Sequence, residues 1–439
     1  MRWIGPLASL LLLACDARAP APVPVPPPVE RAPEPVAALE PTTPAEPSTP
    51  PEPAPPTDPA ALAPWLTEHA IIVDGHVDLP WRLSKSAAKD GSLTEDVTQR
   101  TAAGDFDWPR ARQGGLDAPF MSIYVASSFE GKGAKAEAER LIALVEGLAA
   151  AAPEKFALAR SPADIRSNAK MGLVSLPLGM ENGAPLEGEL GNVAYFHGRG
   201  IRYITLTHAK DNHISDSSFD THHTHKGLSA FGKQVVAEMN RVGIMVDVSH
   251  VSDQAFWQVL EQSKVPVIAS HSSCRHFTPG WERNMSDEMI RALAERGGVV
   301  MINFGSGFLD AAVRKQRDQH EAALTKHLRK AKLRADDEAA AEVTAAWLAE
   351  HPAPRATVEQ VADHVEHVIA LVGVDHVGLG SDFDGVGDSL PAGLRDVSEY
   401  PNLVRVLLER GHDRVAIEKL LGGNVLRVWE AVERHAARP

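Results

Sequence analysis

The sequence predicts an α/β protein folded as a (β/α)8 barrel of the TIM type. Three observations predict it. From about residue 64 onward, apolar runs of strand length alternate with amphipathic stretches of helical period, the pattern of βα units with parallel strands. The runs number eight, which is the count that closes such a barrel. Six of the eight stop on a residue fit to bind metal or move protons, and in this fold strand ends converge on a single mouth.

The expected strands, in order, are "AIIVDGHVD" (70–78), "PFMSIYVA" (119–126), "LVSLPLGME" (173–181), "IRYITLTH" (201–208), "GIMVDVSH" (243–250), "VPVIASH" (265–271), "GVVMINF" (298–304) and "HVGLGSD" (376–382). Helices are expected over 136–152, 229–242, 252–263, 286–297 and 357–373, several opening on the Ser or Thr that suits an N-cap. The Ala-rich, charged section 310–356 reads as a helical excursion between the seventh and eighth strands within one barrel domain, residues 64–439.

Ahead of the barrel the composition changes twice. Residues 1–15 have one early basic residue, Arg2, then an apolar run too short to span a membrane, then "LLAC" ending at Cys15. That ending resembles a bacterial lipoprotein signal, with Cys15 lipidated and the protein exported and held to a membrane by its lipid. Residues 16–63 are rich in Pro, Ala, Glu and Thr and poor in large apolar side chains, so they read as a disordered, semi-rigid spacer. The net charge of −14 over 439 residues argues against nucleic acid as a partner, because such affinity needs clustered Lys and Arg. Two cysteines, one inside the export segment, exclude a disulfide framework.

The strand-end residues are His76 and Asp78, Glu181, His208, His250, His271 and Asp382. Imidazoles and carboxylates suit Zn²⁺ or a similar borderline divalent ion. His76 and Asp78, two apart on an extended strand, share a face. Together with Glu181, His250 and His271 they are enough for two ions sharing a carboxylate, which would hold a hydroxide between them as nucleophile. Asp382 in "GSDFDG" suits proton transfer, whereas Asp384 falls past the strand end and suits turn chemistry. His213, His222, His223 and His225 lie in a polar stretch read as a solvated loop. His364 and His367 read as helix surface packing. Cys274 as a nucleophile would leave the strand-end ligands without a purpose.

The stretches "DGHVDLP", "GMENG", "ITLTHAKDN", "GLSAFG", "VDVSHVS", "ASHSS", "ERNMSDE" and "GLGSDFDGV", in this order, resemble the membrane dipeptidase family of zinc peptidases over nearly the whole globular part. The resemblance implies that His76 and Asp78 bind one zinc, that His250 and His271 bind the other, and that Glu181 bridges them. It further implies that His208 binds substrate close to the metals and steadies the tetrahedral intermediate. Arg283 would pair with the substrate carboxylate and Asp382 would act on the bridging water. The substrate would be a dipeptide, and relatives are often homodimers. Asn182 stands where Gly is familiar, and Gly305 where a bulkier residue often follows the Phe. Two other readings compete. One is a binuclear-metal amidohydrolase acting on a cyclic amide, lactone or β-lactam, although such barrels usually carry H-x-H and a strand-end lysine. The other is a peptide-binding lipoprotein without catalysis.

Overall fold

The structure, a computed structural model, describes residues 55–437 apart from 89, 90, 335, 336 and 338. The export segment, Cys15 and most of the Pro-rich stretch lie outside the described residues.

Eight parallel strands close into a barrel, and each falls within one of the eight expected runs or overlaps it. They are β1 (Ile72–Val77), β2 (Leu116–Tyr124), β3 (Leu178–Glu181), β4 (Ile201–Thr205), β5 (Met245–Asp247), β6 (Ile268–Ala269), β7 (Val299–Ile302) and β8 (Val377–Leu379). Neighbours in sequence are neighbours in space, and β8 pairs back onto β1 through Asp74 and Leu379. The third run divides at Pro177. Val174–Leu176 leaves the barrel to pair in parallel with Phe156–Leu158, a short strand the sequence pattern did not reveal.

The expected helices form as Ala134–Ala151, Ala230–Val242, Asp253–Gln262, Asp287–Glu295 and Val358–Val372. Their caps come from the anticipated residues: the side chains of Ser229, Ser252 and Ser286 accept from Gly232, Ala255 and Met289 N–H groups, and Thr357 with Gln360 closes a reciprocal capping box. The excursion is two helices, Ala311–Lys330 and Ala340–Glu350. Trp347 joins them, its ring 4.7 Å from His320 and stacked 4.6 Å from His351.

Two apolar layers form. One lies between the strands and the surrounding helices. The other groups Val73, Phe120, Tyr203, Met245 and Met301 with Trp429 of the last helix, Asn424–Ala436, and Phe120 sits 5.2 Å from Tyr203 and 5.3 Å from Trp429. Inward-facing side chains of several strands stack in such layers in this fold, so the floor beneath the strand ends is packed and not a pore.

Two readings need correction. The spacer does not run to residue 63, because a helix spans Pro59–His69 and is capped by Asp58, with Ala63 and Leu66 buried. Pro sits at the start of that helix, where its missing N–H costs nothing, so a Pro-rich stretch can pass directly into a helix. A fragment beginning at residue 64 loses this cap and the first turn, at a cost of about 1 kcal/mol from the cap alone. We expect it to melt lower than a fragment beginning at residue 55 in a thermal denaturation comparison. His364, in turn, is not on a helix surface. It is fully buried, accepting the Cys274 N–H at Nδ1 and lying 2.9 Å from Leu309 O at Nε2. Only His367 is partly exposed, bonded to Asp287 at 2.8 Å.

Candidate metal centre

The carboxyl ends of the strands bring His76, Asp78, Glu181, His208, His250, His271 and Asp382 into one cluster. Glu181 is its centre. Its Oε1 lies 3.1 Å from His250 Nε2, 3.4 Å from His271 Nε2 and 3.5 Å from His208 Nε2, and its Oε2 lies 3.4 Å from His76 Nε2. Asp78 Oδ2 is 3.4 Å from the same His76 nitrogen. Ligand atoms fall into overlapping groups, His76–Glu181–His271, Glu181–His208–His250 and His76–Asp78–Asp382, each close enough to hold one ion.

The hydrogen bonds around the imidazoles decide what these groups want. Tyr203 donates its hydroxyl proton to Gly75 O, so its oxygen is left to accept from His76 Nδ1 at 2.8 Å. His76 Nε2 is then a bare lone pair, and this buried atom has no hydrogen-bond partner. Ser270 donates to Asp247, so it accepts from His271 Nδ1 and leaves the His271 Nε2 lone pair bare as well. Arg283 Nη2 donates to His250 Nε2 at 3.1 Å, which makes that nitrogen a third lone pair. His250 and His271 present these nitrogens to each other at 2.8 Å. Lone pairs cannot satisfy lone pairs. Two unsatisfied lone pairs and a third relieved only by Arg283, all facing one buried carboxylate, suit a cation, and neutral imidazole with carboxylate is the donor set of a borderline divalent metal.

The electrostatics agree. Burial alone would push the Glu181 carboxyl up, but the His76 and His208 imidazoles, and then the closeness of His250 and His271, hold it well below the usual carboxylate range. Burial, followed by cationic neighbours, holds His250 and His271 well below the ordinary imidazole value, so both remain neutral ligands. Burial works against a charge on His76, yet its neighbours Tyr203, Glu181 and Asp78 outweigh it, and this position attracts positive charge.

A cavity of about 480 Å³ opens above the cluster, walled by Trp81, Tyr124, Phe219, Phe308 and Val386. Glu181, His208, His250, Asp78 and Asp382 line it, while Arg283 does not. Arg283 is 2% exposed and stands behind His250, its Nη1 donating to Ser272 Oγ and its Nη2 also to His271 O, with Phe308 over its Cζ at 5.1 Å. Burial lowers its pKa to about 10, which still leaves it charged at neutral pH.

A family model described as membrane dipeptidase, peptidase family M19, matches residues 61–439. The chain belongs to this family. It is a metallo-dipeptidase, a hydrolase that acts on peptide bonds and depends on metal. Among its relatives, Dipeptidase tcpJ of Claviceps purpurea is 33% identical over 374 residues, covering 83% of this chain and 77% of that protein. Dipeptidase aclJ of Aspergillus oryzae is 35% identical over 343 residues, covering 76% and 71%. Among solved structures, the probable dipeptidase PvdM of Pseudomonas aeruginosa is 26% identical with a TM-score of 0.72, covering 86% of this chain and 99% of that one. A metallo peptidase of Rhodobacter sphaeroides, liganded with a phosphinate mimic of L-Ala-D-Ala, is 25% identical with a TM-score of 0.65, covering 83% and 99%.

Several residues that shape this dipeptidase centre escaped the sequence reading. Asp74 accepts from His76 N and Ser381 N and binds the Tyr400 hydroxyl, tying the ends of β1 and β8 together. Asp247 does the same for β5 and β6 by accepting from Ser249 N, Ser270 N and Ser270 Oγ. Asn303 Nδ2 donates to Asp382 Oδ2 at 2.7 Å. Asn182, His250 and Asp382 have left-handed backbones, with φ of 75, 69 and 64 degrees. Asn tolerates that region well, which explains Asn182 at a familiar Gly position. His and Asp are also among the non-glycine residues enriched there, and left-handed residues of this sort gather at functional sites. Asp384 accepts from Asp105 N and Arg82 Nη1, so its side chain makes tertiary links to a distant part of the chain instead of the local turn bonds expected of it. Among the described residues, His213, His222, His223 and His225 join no group of three metal-ligand side chains.

Gly385 is the least legible of these. A Cβ there would lie 2.2 Å from Asp78 Oδ2 and 2.3 Å from Asp382 Oδ1. Only a residue without Cβ lets the two carboxylates stand side by side. Gly385→Ala is expected to reduce kcat/KM more than tenfold while shifting the thermal midpoint little, as paired kinetics and calorimetry would show.

Proposed function

We propose that the protein hydrolyses dipeptides bearing a free C-terminal carboxylate with two zinc ions per chain. His76 and Asp78 would hold one, His250 and His271 the other, and Glu181 both. The observation that carries this reading is the pair of bare imidazole lone pairs on His76 and His271, with a third on His250 that accepts only from Arg283, around one buried carboxylate. Such ions, when bound, supply a Lewis acid for the scissile carbonyl and a water acidic enough to react at neutral pH.

The chain's own residues do the rest. Asp382 is fastened at Oδ2 by Asn303, which leaves Oδ1 to take the proton of the attacking water and return it to the departing nitrogen. His208, whose Nδ1 is buried without a partner and whose ring borders the cavity, is suited to steady the oxygen of the tetrahedral intermediate. Arg283 loses an acceptor once His250 Nε2 is committed elsewhere, and its Nη2 hydrogen then turns to the substrate carboxylate as a planar fork can. The phosphinate mimic of L-Ala-D-Ala on the Rhodobacter relative supports a two-residue substrate.

The test is hydrolysis of Ala-Ala, in both stereochemistries at the second residue, before and after chelation and after Zn²⁺ is returned. We expect activity to vanish on chelation, to return with metal, and to be absent on C-terminally amidated Ala-Ala. Equal cleavage of the amide overturns the carboxylate requirement, and cleavage unaffected by chelation overturns the metal reading.

The same reading includes export, a lipid anchor at Cys15 and a homodimer. The "LLAC" ending supports the anchor, and no helix among the described residues is long and apolar enough to cross a membrane.

A further inference from the structure

We propose that the cavity beneath the 310–356 excursion is the side-chain subsite for the second residue of the dipeptide, and that Arg314 makes it select an acidic side chain. This rests on the dipeptidase reading and names the substrate class of that same site.

The second cavity measures about 450 Å³, and Phe308 and Val386 line both it and the metal-bearing cavity. The two spaces therefore meet at one pair of apolar side chains. Gly305 keeps that meeting point open. A Cβ at this position would stand 2.9 Å from Phe308 Cδ2 and 3.0 Å from Val386 Cγ1, so a larger residue would press on both.

Arg314 stands beyond them on the helix Ala311–Lys330, with its Cζ 4.6 Å from the Trp281 ring. Trp281 meets Phe308 edge to face at 5.0 Å, and Phe308 covers the Arg283 Cζ at 5.1 Å. Two guanidinium groups thus flank one aromatic pair. The inner one suits the carboxylate of the peptide end, and the outer one is set for a second carboxylate carried on the side chain. A guanidinium lying on a ring face keeps its edge free for a planar acid.

The charges around it leave that edge available. Among the described residues no carboxylate pairs with Arg314, and its Nε is buried with no hydrogen-bond partner. Arg317 is committed to Pro354 O and Asp388 O, and Asp388 is held by Arg355 and Arg395. Asp318 and Glu321 follow Arg314 at helical spacing on the same face and are exposed, which makes the rim acidic and the inner end basic. Such a rim disfavours free anions. A carboxylate reaches Arg314 when it is carried in on a substrate already anchored at its backbone end.

The experiment compares kcat/KM for Ala-Ala, Ala-Gln, Ala-Asp and Ala-Glu, each with L and D second residues, in the zinc-loaded wild type and in Arg314→Gln, Arg314→Lys and Gly305→Val. We expect the wild type to favour an acidic second residue over Ala about tenfold or more. That ratio should fall about 10- to 100-fold in Arg314→Gln, the size of a lost hydrogen bond to a charged group, with the change mainly in KM. Arg314→Lys should retain part of it, and Gly305→Val should lower the ratios for Glu and Gln alike. A merely structural role for Arg314 would depress every substrate together and leave the ratio unchanged, which overturns the subsite. Cleavage of Ala-Ala with no gain for acidic residues also overturns the subsite alone. Absence of hydrolysis of every dipeptide overturns the dipeptidase reading and the subsite with it.

Discussion

Glu181→Ala is expected to cut the metal content from about two ions per chain towards one or none, and to abolish activity in step. Glu181 places an oxygen within 3.5 Å of four imidazole nitrogens, so two of the three ligand groups at the strand ends depend on it. Two cations about 3.5–4 Å apart repel strongly. For unit charges at 4 Å and an effective dielectric of about 20 the energy is about 4 kcal/mol, and for divalent ions about four times that. A carboxylate between them supplies the compensating charge, and neutral imidazoles cannot replace it. Glu181→Gln keeps the shape and the contact with Ser122 Oγ, so it separates loss of charge from loss of packing. Metal analysis of the purified variants, with circular dichroism to verify the fold, is the measurement. Two ions retained in either variant would remove Glu181 from the bridging role.

Asp382→Asn should hold both metals, bind substrate about as well as the wild type, and lose a factor of about 10²–10⁴ in kcat. The substituted amide has one acceptor oxygen, and Asn303 Nδ2 already demands an acceptor at 2.7 Å. The new NH₂ must therefore point where Oδ1 was, at the group that should have taken a proton. In the ion-free protein, burial and then the charge of Asp78 push the Asp382 carboxyl up to about 7. A cation beside Asp78 would draw that value down and leave Asp382 ionised at neutral pH, ready to act as a base. Asp382 also lies within a possible ligand group with His76 and Asp78. Metal analysis alongside steady-state kinetics separates the two roles. Metal lost in proportion to activity would make Asp382 a ligand, and near-normal kcat would assign the proton to another group.

The strands and their terminal residues were legible because both signals are local. An apolar run of the right length that stops on His, Asp or Glu can be read from fewer than ten consecutive residues, as at "VDVSH" and "VIASH". The helix at Pro59–His69 was not, because its Pro content resembles the spacer before it and its burial depends on packing against Tyr400–Glu409, far along the chain. His364 was misjudged for the same reason. Its place on the helix face is visible in the sequence, but the loop that covers it is not.

By itself, the sequence determined the number and order of the barrel strands, the family, and which side chains stand at the mouth. Those follow from a period of two along each strand and from motifs a few residues long. Only the tertiary structure decided how these side chains are presented. Tyr203 and Ser270 set which imidazole nitrogen is bare, Asn303 sets which oxygen of Asp382 is free, and Gly385 allows two carboxylates to lie together. The physical reason is that a closed barrel joins partners from opposite ends of the chain. Ser381 N donates to Asp74 Oδ1 across 307 positions, and no local pattern records a bond of that kind.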